Sequence, residues 1–283
     1  MRKTLFTSLA SLALWLALAP ALVAARQEPA GPKTLPAGRE QGAPAAPAPS
    51  VDPKAEAVLR RAVEALGGQS YLAVRSVVSR GNYTPYEEGA AGLPIKFVHY
   101  LVFPDRERTE FSGSAVRSVQ TFVGDGGWVL DLKAKKLTDV TPEAAREFRL
   151  GMRTSLDSVL RGWWRGEGAS LSHAGRREAG LGRRNEVVRV TYPDGFAVEY
   201  EFGAHDAMPV KARYRKESSE GEPVEEEDRY AQFLSVGAVR APFVLDNYRA
   251  GVQTSRVNFE QVTFNPPVPD SLFARPAEGK AAK

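Results

Sequence analysis

Histidines, carboxylates and glycine-rich turns are the places where this chain could do chemistry, and each can be held against what known chemistry requires. The three histidines, His99, His173 and His205, are far apart in sequence. None has a second ligand at the spacing a zinc site uses. His99 falls in the middle of an aromatic strand pattern and reads as a buried or lining histidine. No HExxH, GxSxG or phosphate-loop pattern occurs. Gly124-Asp125-Gly126-Gly127 joins two strand patterns, whereas a phosphate cradle needs a helix terminus behind it. Glu225-Glu226-Glu227-Asp228 is a run of four carboxylates, but neighbours in a strand point to opposite faces and cannot all share one site. A calcium loop would need acids at alternating positions around a glycine turn. The run reads instead as a charged edge strand that resists aggregation. Asp105, Glu107, Asp125 and Asp131 could meet in space, although nothing in their spacing demands it. The expectation is no catalytic set, no metal site and no cofactor: a binding protein and not an enzyme.

Trp163-Trp164 is a different kind of signal. The pair closes a helical pattern and is flanked by Arg161 and Arg165. Trp163 continues the apolar stripe and is expected to be buried, with Trp164 pointing away. Tryptophan suits boundaries between apolar and wet surroundings, so a lid or membrane-touching edge competes with ordinary packing plus one exposed ring.

The elements that would position these residues are legible. Asp52-Pro53 is an acceptor cap with proline in the first turn. Ala55, Val58, Leu59, Ala62, Val63 and Leu66 follow at the spacing of one helical face, and Gly67-Gly68 ends the helix. Thr141-Pro142 opens a second helix with an apolar stripe of Phe148, Met152, Leu156, Val159, Leu160 and Trp163. Phe196, Val198, Tyr200 and Phe202 alternate with polar residues, the pattern of a strand with one wet face. Val188 to Tyr192 precedes it through the turn Pro193-Asp194-Gly195, and Val210, Ala212 and Tyr214 alternate after it. Ser218 to Pro223 reads as a polar hairpin loop. Further strands are expected near 74–83, 95–103, 106–111, 116–123, 128–132, 225–233, 243–249 and 252–264. Ile95 to Phe103 is apolar on both faces and is expected to be covered on both. Hairpin-like connections without strand–helix–strand order predict a mainly β fold with helices, of the α+β class. Its centre would be one curved antiparallel sheet with helices on the concave side.

Composition bounds the rest. Arg2 and Lys3, the apolar run Leu5 to Val23 and the small residues Ala21 to Ala25 match a secretory signal peptide, placed at 1–25. Residues 26–52 are rich in Pro, Ala and Gly and read as a disordered linker. The folded domain is placed at 53–276, with a small polar tail at 277–283. The chain has no cysteine, so neither disulfides nor a lipid-anchor cysteine is available. The expected product is exported, periplasmic and soluble. The formal net charge of +4 arises from interleaved acids and bases, without the clustered basic and aromatic residues a nucleic-acid binder would show.

The order of motifs resembles the LolA/LolB-like family of periplasmic lipoprotein-sorting proteins. The opening helix ends in Gly67-Gly68 and leads to a strand finishing at Arg80-Gly81. Phe103-Pro104-Asp105-Arg106-Glu107-Arg108-Thr109-Glu110-Phe111 is similar to the family's proline-bounded strand pair. Phe122-Val123-Gly124-Asp125-Gly126-Gly127-Trp128 resembles its hairpin, and Met208-Pro209-Val210-Lys211 lies in a following meander. The closing stretch runs from Val257-Asn258-Phe259 to Phe264-Asn265-Pro266-Pro267 and Leu272-Phe273. The resemblance implies a half-open β-barrel with a helical lid. It also implies a carrier for the acyl chains of lipoproteins or lipids, working between membrane-bound donor and acceptor proteins. Relatives of this architecture that serve as envelope-stress sensors imply an alternative, in which the module binds a partner protein. On the carrier reading the expected lining is Phe97, Leu101, Phe122, Trp128, Phe148, Met152, Tyr200 and Phe202. Core packing is the competing account for most of these.

Overall fold

A computed structural model describes residues 48–217 and 221–277. The expected signal peptide, the linker up to residue 47, residues 218–220 of the expected hairpin loop and the tail from 278 lie outside the described residues. The described chain opens on helix α1 (Pro53–Leu66), where the Asp52 carboxylate accepts from the Lys54 amide at 2.8 Å. Its buried face is Ala55, Val58, Leu59, Ala62, Val63 and Leu66, the face the spacing predicts. Gly67 ends the helix at φ +123°, and a Cβ there would stand 2.3 Å from the Ala238 carbonyl oxygen, so only glycine fits. The short helix α2 (Gln69–Leu72) follows.

Strands β1 (Ser76–Glu87), β2 (Ala90–Ala91), β3 (Ile95–Val102), β4 (Arg106–Ser112), β5 (Arg117–Val123), β6 (Gly126–Asp131) and β7 (Lys136–Asp139) form the first half of the sheet. Helix α3 (Pro142–Thr154), helix α4 (Leu156–Arg161) and a 3-10 turn over Trp163–Glu167 interrupt it. Strands β8 (Ser170–Glu178), β9 (Arg184–Thr191), β10 (Ala197–Gly203), β11 (Pro209–Glu217), β12 (Pro223–Val236), β13 (Val239–Arg249) and β14 (Val252–Phe264) complete it. Every pairing between these strands is antiparallel. The order is β7-β6-β5-β4-β3-β1-β14-β13-β12-β11-β10-β9-β8, with β2 paired to the end of β1. The sheet is a mainly β open barrel whose edges are β7 and β8. The helices that connect those edges form its lid.

Three packed regions carry the apolar burial, the smallest formed by Val119, Trp128 and Leu130. In the first, α1, α4 and Trp164 meet Leu171, Val188, Val190, Val198, Tyr200, Phe202, Ala212 and Tyr214. In the second, Tyr83, Phe97, Phe111, Val116, Leu245 and Val257 pack together. With no disulfide available, this burial carries the fold, each large apolar side chain contributing roughly 1.5–3 kcal/mol.

Four expectations are corrected by the structure. The carboxylate run lies in β12, which pairs with β11 and β13 and is not an edge. The second helix breaks at Ser155, which ends α3 with extended backbone (ψ 147°) and caps α4 through its hydroxyl. Gly162 then adopts a left-handed conformation and the 3-10 turn shifts the helical phase. Consequently Trp164 is completely buried, with its indole N–H donating to the Val159 carbonyl at 3.3 Å. Trp163 is the half-buried partner, edge-on to Phe103 at 5.4 Å. Strand β3 buries only Phe97, His99 and Leu101, while Val98, Tyr100 and Val102 stay half-exposed. No helix among the described residues is long and apolar enough to cross a membrane.

Candidate functional site

Between lid and sheet lies a cavity of about 160 Å³. That is close to the size of an engineered apolar cavity that takes up benzene. Strand alternation supplies its sheet side. Val77 and Ser79 of β1, His99 and Leu101 of β3, and Val262 and Phe264 of β14 pair across the ladder on one face. Tyr230 of β12 and Leu245 of β13, opposite each other, extend that face. Leu66, Tyr71 and Val74 close one flank, and Leu156, Asp157 and Arg161 of α4 form the roof.

Arg161 ties the roof down. Its Nη1 donates to the carbonyls of Leu72 (3.2 Å) and Val74 (3.1 Å), and its Nη2 to that of Tyr71 (3.0 Å). Its Nε donates to Asp157 at 2.7 Å, and the Tyr71 hydroxyl donates to the same carboxylate at 2.8 Å. The guanidinium also stands 4.4 Å from the Phe103 ring centroid and 4.7 Å from that of Tyr71. Burial, reinforced by the Asp157 charge, pushes the Tyr71 phenol well above its ordinary range. Tyr71 therefore stays a donor. Tyr200, in the same packed core as Tyr71, holds the α3–α4 junction by donating to the carbonyls of Arg153 (3.0 Å) and Ser155 (3.3 Å).

The sheet side of the cavity is not uniformly apolar. Ser79 Oγ, His99 Nε2 and Tyr230 Oη are buried and have no hydrogen-bond partner. Glu107, paired with Leu101 across the ladder, brings Oε2 to 3.7 Å from His99 Nε2. Beyond Tyr230, Asp228 is completely buried. Its Oδ1 accepts from Asn247 and its Oδ2 has no partner. Burial pushes Asp228 up to about 7. The Asn247 hydrogen bond works the other way, and the charges of Glu226 and Glu227 add to the rise.

Of the eight residues expected to line a cavity, Leu101 does so. Phe97 is on the same face but packs in the second core, edge-on to Phe259 at 5.8 Å. Phe122 and Phe148 stack at 4.5 Å and 6°, fastening α3 to β5. Tyr200 and Phe202 belong to the first core, and Met152 is half-exposed on α3. Trp128 is buried with Val119 and Leu130, away from the cavity. Its indole N–H donates to the Phe273 carbonyl at 3.1 Å, under the C-terminal segment. His99 read as a buried or lining histidine and is both, whereas the roles of Arg161, Ser79 and Tyr230 were not singled out by sequence reasoning. Arg161 looked like a flank of the tryptophan pair, and Ser79 and Tyr230 are single polar positions in ordinary strands. Their convergence depends on strands far apart in sequence.

His173 is buried elsewhere, with Nε2 2.8 Å from Glu186, and His205 lies beside Arg60, Arg61 and Glu64. No group of three or more His, Cys, Asp or Glu side chains among the described residues could hold a metal ion.

No family model matches the sequence, and no curated protein matches it in sequence. Solved structures do match its fold. A LolA superfamily protein from Nitrosomonas europaea superposes with TM-score 0.54 at 13% identity, over 78% of this chain and 97% of its own. A DUF1329 family protein from Desulfovibrio piger gives 0.55 at 12%, over 78% and 97%. An outer membrane lipoprotein-sorting protein domain from Vibrio parahaemolyticus gives 0.52 at 10%, over 77% and 97%. The fold is thus the LolA-like open barrel with a helical lid.

Proposed function

We propose that this chain is an exported, periplasmic carrier that shelters the hydrocarbon part of a lipid or lipoprotein beneath its helical lid. The observation that supports it is the lidded cavity, whose walls are mostly apolar and whose roof is held by one arginine. At about 160 Å³ the closed form has room for a short stretch of chain. Each buried methylene is worth roughly 0.8 kcal/mol, so a longer acyl chain repays displacement of α4. Loading and unloading are then movements of the roof, and membrane-bound donor and acceptor proteins would drive them.

The test is extraction of the full chain, purified from the export compartment, followed by mass spectrometry of the organic phase. Acylated molecules in stoichiometric amount are expected. They should be lost when Val77→Phe or Leu101→Trp fills the cavity. A stoichiometric protein partner with no amphiphile present would point to a regulatory module on the same fold.

A further inference from the structure

We infer that the cavity receives an uncharged amphiphile polar end first, its hydroxyl or carbonyl group seated among Ser79, His99 and Tyr230 and its hydrocarbon directed toward α4. This rests on the carrier reading and names the class of molecule carried.

The geometry points this way for three reasons. First, Ser79 and His99 face each other directly across the β1–β3 ladder, so their side chains project side by side on the concave face. Their relative exposures are 2% and 4%, and both line the cavity, as does Tyr230. Second, Ser79 Oγ, His99 Nε2 and Tyr230 Oη have no hydrogen-bond partner, and Glu107 Oε2, 3.7 Å from His99 Nε2, has none either. A buried hydroxyl or ring nitrogen left unmatched is costly, and a ligand group that both donates and accepts matches such groups where it reaches them. Third, the charges select against an acid at that end. Glu107 Oε2 stands 3.7 Å from His99 Nε2, and Asp228 precedes Tyr230 on the same strand face. A carboxylate seated there would meet these acids in a low-dielectric interior. The cation on the roof, Arg161, has its donors engaged by three carbonyls and Asp157. Hydrocarbon, by contrast, finds Leu66, Val74, Leu156, Val262 and Phe264 around the rest of the space.

Calorimetric titration of the full chain with octanol and with octanoate, at matched concentration and pH 8, tests the orientation. Octanol is expected to bind about tenfold more tightly than octanoate. Ser79→Ala and Tyr230→Phe each delete one oxygen and little else. Each is expected to weaken octanol several-fold while leaving octanoate and the melting temperature nearly unchanged. Octanoate binding as well as octanol would mean that the polar end faces the mouth, beside the exposed Arg240, and would overturn the inference alone. So would octanol binding that neither variant alters. Absence of binding by octanol and by hexadecanol would overturn the carrier reading as well.

Discussion

Arg161 and Asp157 stand one turn apart on α4, Nε to Oδ1 at 2.7 Å, and the same guanidinium crosses to the backbone carbonyls of Tyr71 and Leu72 at the end of α2 and of Val74 in the link to β1. A helix of six residues has little stability of its own in water. This web therefore fixes where the roof sits. It joins the last helix of the lid to the strand that begins the barrel, and the cavity lies directly beneath.

Replacing Arg161 by Met keeps the aliphatic stem and removes every one of those hydrogen bonds. The expected cost is roughly 2–3 kcal/mol, because the carbonyls of Tyr71, Leu72 and Val74 lose a charged donor. A lower urea midpoint together with stronger fluorescence of an apolar dye would mark a loosened roof. An unchanged dye signal would show that α4 is held by packing alone.

Asp228 gives a pH signature on the sheet side. Its carboxyl is raised from 3.8 to about 7, chiefly by burial. Between those values the unfolded chain ionises Asp228 while the folded chain keeps it protonated, so stability falls as pH rises through this window. Asp228→Asn is expected to match the wild type near pH 4. Near pH 8 it should be the more stable by a few kcal/mol, since each tenfold difference in proton affinity is worth about 1.4 kcal/mol. Denaturant curves at the two pH values measure the difference, and an equal gap at both would contradict it.

Glu199 acts in the opposite direction. Its burial opposes ionisation, but Arg189 and Arg177 outweigh that and hold it at about 2. The resulting stability is present above the ordinary carboxylate range near 4.5 and is lost as pH falls toward about 2. Glu199→Gln should therefore flatten the acid limb of the melting-temperature profile and lower the plateau at neutral pH. A profile parallel to wild type would mean that the three arginines around it, Arg177, Arg189 and Arg213, contribute nothing net.

The stack of Phe122 on Phe148 is the anchor of α3. Phe148→Ala leaves a void against β5 and is expected to cost roughly 3–5 kcal/mol. Amide exchange in residues 142–154 should accelerate more than in β9 or β10. Uniform acceleration would indicate that α3 and the sheet open as one unit.

Much of the barrel was legible because its signals are local. Alternation in 196–202 and 210–214, caps at Asp52 and Thr141, and Gly67 at a positive-φ helix end each depend on a few neighbouring residues. Signals weakened wherever the backbone departed from a regular period. The extended Ser155 and the left-handed Gly162 turn the chain between helices, which is why Trp164 rather than Trp163 is buried. Alternation also left the two faces of a strand unlabelled. Trp128 was therefore assignable to a lining position, although its indole lies under Phe273. Strands β7 and β8 carry too little apolar pattern to stand out, yet they are the two edges that leave the barrel open.

The sequence by itself determined an antiparallel, cysteine-free sheet with two helical regions, since these follow from residue type and short-range spacing. Tertiary structure alone decided that Ser79, His99 and Tyr230 share one hollow and that Arg161 closes it. These groups come from β1, β3, β12 and α4, up to about 150 positions apart, and only strand order and register bring such residues together.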